Sequence, residues 1–358
     1  MRRLSMISAS VLLLPAWLAA QGVVAPAASV KPPTPRSTTY AVRQTVTLKD
    51  VPATASRVKA WIALPGDASA QKLLDVSVVD LPGEWRMTTE PEYGNRFLFV
   101  DAPAKAGDMS FTIDVVVRRD PVSIALNAAA VGPITDTHRK LFARELDLQA
   151  PNMVADDRIR AMADKACGDD RNVVSQARAI FHMVANSADH YSKDPSKPKC
   201  GRGNAGDCLT QEGGCCTDLH SLFVAALRSR GVPTRMVFGY RVLDKNLGKE
   251  VDPGYRCWVE FFAPKIGWVP LDVVEGDALA KDARETWFGS LSEQRLYCCE
   301  GRNFRLEPKE ASGPVNTMII GHFEIDGVAV PTLPDASGKP SPLVRTVKFS
   351  KLDVADPR

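Results

Sequence analysis

Cys216 is the residue around which chemistry could be organised. The string GGCCTDLHSLFVAALRSRG, Gly213 to Gly231, places Leu219, Leu222, Phe223, Ala226 and Leu227 on one helical face. Asp218 adds negative charge to the first turn, Arg228 and Arg230 add positive charge to the last, Gly231 is placed to cap the helix and Pro233 to stop it. Cys216 thus lies at or just before a helix N-terminus, where unpaired amides favour thiolate over thiol. A thiolate is half of a centre that attacks an amide and forms a thioester. The other half is a base, usually a histidine held by a carboxylate, which must also protonate the leaving amine. His220 lies one turn on from Cys216 and on the same face, and is read as a residue packed or hydrogen-bonded beside the site. His182 and His190 belong to the preceding helical segment, and the sequence places neither near Cys216.

All eight cysteines fall between Cys167 and Cys299. Cys215-Cys216 and Cys298-Cys299, with Cys208, could in principle hold zinc or copper(I). Neighbouring residues rarely both turn toward one ion, and Cys-x-x-Cys spacing is absent, so no metal or other cofactor is expected and disulfides are the expected use of the remaining thiols. Cys200 and Cys208 bracket a short loop and form one candidate pair. If Cys216 stays free, seven thiols remain and cannot all pair within one chain.

The elements that must position these groups can be read in order. MRRLSMISASVLLLPAWLAAQ is a basic start, an apolar stretch and small residues, the pattern of a cleaved secretory signal over 1–22. Its apolar run falls short of the roughly 20 residues that span a bilayer, so no stable membrane anchor is expected. Export would put the chain in the periplasm or outside the cell, where disulfides persist. An Ala-, Pro- and Ser-rich leader covers 23–37. From 38 to 120 short alternating runs such as TYAVRQTVTL and MSFTIDVVV, separated by Pro, Gly and Asp, predict a small antiparallel β-sandwich. A helical connecting region over 121–170, a core over 171–306 and a C-terminal strand with a polar tail over 307–358 complete the expected organisation. The formal charge of +3 includes Arg2 and Arg3 of the signal segment, so a basic nucleic-acid surface is not indicated.

Two blocks carry a family resemblance. GGCCTDLHSLFVAALRSRGVPTRMVFGY, Gly213 to Tyr240, resembles the nucleophile helix of bacterial transglutaminase-like proteins, where Gly-x-Cys-x-Asp precedes a helix and a Gly-Ile-Pro-Ala-Arg turn. GYRCWVEFFAPKIGWVPLD, Gly254 to Asp272, is similar to that family's second motif, in which a His two residues before Trp begins one strand and Gly-Trp-Val-Pro-x-Asp ends the next. The resemblance implies an α+β fold, a papain-related core in which the nucleophile helix packs on an antiparallel sheet. It implies the nucleophile at Cys216 and the orienting carboxylate at Asp272, with a simple Arg partner as the other reading of Asp272. The histidine position is occupied by Arg256, a register pinned by Trp258 and Glu260.

Arginine keeps its proton at physiological pH and cannot serve as a general base. Its charge could still favour thiolate, and its planar fork could pair with Asp272 as an imidazole would. Because strand residues alternate faces, Cys257 is expected to point away from the side on which Arg256 meets Cys216. Trp258, Phe261, Phe262 and Trp268 are expected in the core, with Trp258 or Trp268 as the alternative walls of a groove. The expected function is an exported, catalytically impaired transglutaminase-like protein with Cys-Arg-Asp in place of Cys-His-Asp, kept as a binding or scaffolding module for peptides, proteins or cell-wall material. The alternatives are an active thiol enzyme working through a Cys216 thioester, and a cysteine-based metal or redox protein.

Overall fold

Alternation of apolar and polar residues builds the first layer. The computed structural model describes residues 36–353 apart from 200–201, 282, 319 and 334–339, so the signal and leader segments, Cys200 and the end of the tail lie outside the described residues. In the strand Thr38–Val51, Tyr40, Val42, Val46 and Leu48 are buried while Arg43, Thr45 and Thr47 face outward. It pairs antiparallel with Gly107–Arg119 on one side and Leu343–Leu352 on the other. Gln71–Asp80 and Glu250–Val251 close the two edges of this five-stranded sheet. A second five-stranded sheet runs Val328–Ala329, His322–Ile325, Arg57–Ala63, Arg96–Pro103, Glu84–Thr89. Phe111 of the first sheet meets Phe323 of the second edge-on, with ring centroids 5.3 Å apart. The small sandwich anticipated from the N-terminal pattern is therefore present. The segment after 307 supplies strands to both of its sheets, which local reading of that segment as one strand and a tail did not show.

The second layer is the core. Four antiparallel strands lie in the order Gly267–Leu271, Arg256–Ala263, Thr234–Arg241, Arg295–Glu300. Helices Asp157–Cys167, Val173–Ser187 and Ala205–Gln211 surround the central helix Cys216–Ser229, which also packs on the Arg256–Ala263 and Thr234–Arg241 strands. Its residues are buried on nearly every side, Ser229 excepted, because helices cover the faces that the sheet does not. Asn172 caps the Val173 helix by accepting from Val174 and Ser175 N–H. Gly231, at φ +77°, follows the Arg230 C-cap and lets the chain leave the Cys216 helix.

The sheet is irregular at one place, and that place borders the site. The ladder between Thr234–Arg241 and Arg295–Glu300 shifts register between Phe238 and Gly239. Those two residues stand opposite Cys257 and Arg256. A Cβ on Gly239 would sit 1.8 Å from the Leu296 carbonyl oxygen, so the close approach requires glycine. Gly239→Ala is expected to cost about 1–3 kcal/mol, the usual range for forcing extra atoms into a packed region. Equilibrium urea unfolding would measure it.

Candidate functional site

Cys216 is the first residue of its helix, and its surroundings come from three chain segments. The Cys215 N–H donates to Asp218 Oδ2 at 2.9 Å, and the Asn204 N–H donates to Asp218 Oδ1 at 3.0 Å. Asp218 thereby ties the preceding loop to the helix start. Gly213–Gly214 pair in parallel with Asp189–His190. The Thr217 hydroxyl and the Tyr255 hydroxyl are 2.8 Å apart, and Cys215 Sγ lies 3.7 Å from the same Tyr255 oxygen. Cys216 is only 3% exposed. A hydrogen bond with Cys215 lowers its pKa, but the hydrogen bond with Cys257, burial and the Cys257 charge outweigh that, so the thiol titrates well above its ordinary value; Arg256 pulls the other way more weakly.

Cys257 therefore faces the nucleophile helix, which corrects the expectation that it points away from Cys216. Its Sγ is 3.1 Å from His220 Nδ1 and 3.9 Å from Thr217 Oγ1. The ladder that pairs Arg256–Ala263 with Thr234–Arg241 runs without a shift, so alternation holds along it, and the face toward the nucleophile helix falls to Cys257 and the opposite one to Arg256. His220 is fully buried and fixed at both ring nitrogens. The Val273 N–H donates to Nε2 at 3.1 Å, which places the ring proton on Nδ1, facing Cys257. Asp272 Oδ1 lies 3.4 Å from the same Nε2.

Asp272 directly follows the Gly267–Leu271 strand and begins the helix Val273–Asp277. Its Oδ1 accepts the N–H groups of Val274 and Glu275, each at 3.1 Å, and its Oδ2 accepts Arg295 Nη2 at 2.7 Å. The same Arg295 nitrogen donates to Glu275 Oε1 at 2.6 Å, and Arg241 Nη1 reaches that oxygen at 2.6 Å. The carboxylate is thus occupied by Arg295 and not by the Arg256 fork, which corrects the expected Arg256–Asp272 pair and agrees with the reading of Asp272 as an arginine's partner. Among the described residues the Arg256 side chain has no hydrogen bond or ion pair, its backbone pairing with Gly239 aside. Burial alone would raise the Asp272 carboxyl, but Arg295 above all, with the Glu275 N–H, holds it well below the usual carboxylate range.

His190, which sequence could not locate, lies beside the site. It is 2% exposed and stands opposite Gly214, two residues before Cys216. The Ser192 N–H donates to its Nδ1 at 3.2 Å, so the ring proton is on Nε2, a buried donor without a partner among the described residues. Burial first, then the charges of Arg256 and His220, push its pKa down to about 4. Neither His190 nor Arg295 carries a local signal: one is set by a parallel pairing of two-residue strands, the other by a strand that brings Arg295 in from 23 residues beyond Asp272.

Among the described residues, cysteines 167, 208, 215, 216, 257, 298 and 299 are free and buried, and Cys200 of the expected Cys200–Cys208 pair lies outside the described residues. Trp258 and Phe261 are buried in the core as expected, while Phe262 and Trp268 are half-buried and pack on Phe142. Beside Thr217 and Tyr255 opens a cleft of about 300 Å³, whose other walls include Arg202, Asn316, Val330 and Leu333.

Residues 160–273 match the Transglutaminase-like superfamily, so the chain carries a transglutaminase-like domain. Over 89% of its length it superposes on 92% of a candidate cysteine protease from Cytophaga hutchinsonii, with a TM-score of 0.59 and 15% sequence identity. It is 24% identical over 322 residues to an uncharacterized protein of Haemophilus influenzae, covering 80% of this chain and 86% of that one. A shorter match, 27% identical over 139 residues, covers 36% of this chain and 19% of Bacillus subtilis YebA. The family match and the superposition agree on a mixed α and β fold of the transglutaminase-like type.

Removing the Asp272 charge would leave Arg295 buried and half-paired, so Asp272→Asn is expected to cost about 3–5 kcal/mol in urea unfolding. Because the folded carboxyl is held below its unfolded value of about 3.9, its contribution is complete above that pH and is lost as pH falls below it. The variant should lack this acid-side part of the wild-type stability slope.

Proposed function

We propose that this chain is an exported transglutaminase-like protein with an impaired Cys216-Arg256-Asp272 site, retained as a peptide-binding or cell-wall-binding module. The observation that carries the reading is the absence of a usable base beside a buried, protonated thiol. Arg256 cannot accept a proton. His220 has both ring nitrogens committed, and the lone pair of His190 is turned to Ser192. General acid–base assistance is typically worth about 10²- to 10⁴-fold, so a thiol without it turns over slowly at best. The cleft next to Thr217 and Tyr255 gives such a module a place for a peptide. The N-terminal pattern of basic, apolar and small residues supports export.

One observation favours a second reading, an active thiol enzyme. Cys257, His220 and Asp272 stand in the order of nucleophile, base and orienting carboxylate. For His220 to act, its Nε2 would have to turn from accepting the Val273 N–H to donating to Asp272, freeing Nδ1 for a thiol proton.

Two measurements separate the readings. Alkylation of Cys216 across pH, followed by peptide mass mapping, should show little labelling until pH exceeds the free-thiol value of roughly 8.5. Arg256→His should create or raise amine incorporation or amidase activity, by about 10²-fold or more if the rest of the site is intact. Rapid labelling near neutral pH, or an active wild type with an inert Arg256→His variant, would sink the impaired-site account; loss of wild-type activity in His220→Asn would establish the second reading.

A further inference from the structure

The cleft beside Thr217 and Tyr255 has walls of unequal character. Pro314, Val330, Pro331 and Leu333 make part of it apolar. Among the described lining residues the one permanently charged side chain is the exposed Arg202, and none of them is a carboxylate. The Arg202 side chain has no hydrogen bond or ion pair among the described residues; the bonds this residue makes go to its backbone. The carboxylates that adjoin the walls in sequence are buried and engaged. Asp218, next to Thr217, accepts the Cys215 and Asn204 N–H groups. Glu324, two residues after His322, accepts the N–H groups of Ala311 and Ser312 at 2.8 and 3.1 Å and the Ser312 hydroxyl at 3.1 Å.

The backbone that presents Arg202 is fixed. Its carbonyl accepts Arg302 Nη2 at 2.5 Å and Asn316 Nδ2 at 3.0 Å. Arg302 is itself only 2% exposed. Its Nη1 donates to the Gly203 carbonyl and to Ser221 Oγ, each at 2.7 Å, and its Nε and Nη2 donate to Asn316 Oδ1 at 3.1 and 2.7 Å. Ser221 belongs to the Cys216 helix, so one buried guanidinium ties two walls of the cleft to the element that carries Cys216. Gly203, at φ +72°, packs so closely on Thr217 that a Cβ there would sit 2.3 Å from Thr217 Cγ2. Arg202 is therefore held one residue from a direct contact with the neighbour of Cys216. A charged group on a backbone already ordered loses less entropy on binding, which suits it to discriminate between ligands.

We propose that Arg202 sets the specificity of the cleft, selecting peptides that carry an acidic side chain flanked by apolar residues seated against Val330 and Leu333. This rests on the binding reading above and adds the chemistry of the ligand. Charge complementarity fixes the sign, because a basic side chain would meet the Arg202 guanidinium with no lining carboxylate to offset the repulsion. The planar fork can also engage both oxygens of a carboxylate, which a neutral amide does not match.

The test uses the purified full chain immobilised on a support and three equimolar pools of N-acetylated, C-amidated pentapeptides. The pools carry Glu, Gln or Lys at the centre and apolar residues elsewhere, and retention at low salt is read by mass spectrometry. Capped ends leave the central side chain as the only charge. An exposed ion pair is worth up to about 5-fold in affinity, so the Glu pool should be retained about 2- to 5-fold better than the Gln pool, and the Lys pool least. Arg202→Gln should abolish the preference, and Arg202→Glu should invert it. Equal retention of the three pools, or a preference for Lys, overturns acid selection while leaving peptide binding in the cleft intact. Retention of none overturns peptide binding itself and this inference with it. A Glu preference that survives both substitutions in proteins with unchanged circular dichroism assigns the selectivity elsewhere and also overturns the proposal.

Discussion

The core hangs on one buried carboxylate. Asp272 ends a strand, caps the following helix through two N–H groups, takes Arg295 from another strand and touches His220 of the central helix. Each partner comes from a different part of the chain, so the group holds strand, helix and helix in fixed relation. Such a charge is tolerable in the interior only when its oxygens are fully engaged, since losing one partner leaves an uncompensated ion worth several kcal/mol. The occupancy of Asp272 by Arg295 has a functional consequence: it leaves Arg256 free of the role that a base held by that carboxylate would have filled.

At Cys216 two effects compete, and their sizes decide the outcome. A helix N-terminus stabilises a nearby anion by about 0.3–1 kcal/mol, up to about 2 when partly buried. Full burial shifts an ionisable group by as much as about 3–5 pKa units, each worth about 1.4 kcal/mol. With helices and sheet closing over it, Cys216 falls on the side of burial, and the thiol is the stable form. The packing that buries the central helix is thus in tension with the reactivity that its first residue would need. A fold of the transglutaminase and cysteine-protease type does not settle that tension, because function belongs to the site.

Strand alternation sets which side chains share the space. Because the ladder through Arg256 and Cys257 is unbroken, the two side chains take opposite faces, and it is Cys257 that meets the nucleophile helix. Cys257, His220 and Cys216 form a closed cluster, while Arg256 carries a charge that no described group neutralises. The site is therefore crowded with thiols on one side and electropositive on the other.

Much of the architecture was legible in the chain itself. Alternating runs announced the sandwich, and the spacing from Leu219 to Leu227 with Gly231 behind it announced the central helix, because these patterns reflect 2.0- and 3.6-residue periods that local geometry imposes. The paired motifs pointed to the fold and to Cys216, Arg256 and Asp272. What the sequence could not contain was contact between distant segments: the C-terminal strands completing both sandwich sheets, Arg295 reaching Asp272, His190 placed by pairing with Gly214, and Cys257 packed against His220 and the nucleophile helix. Periodicity is a property of a segment and can be read along it. Side-chain partnership and burial depend on which segments meet, and only the tertiary structure decides that.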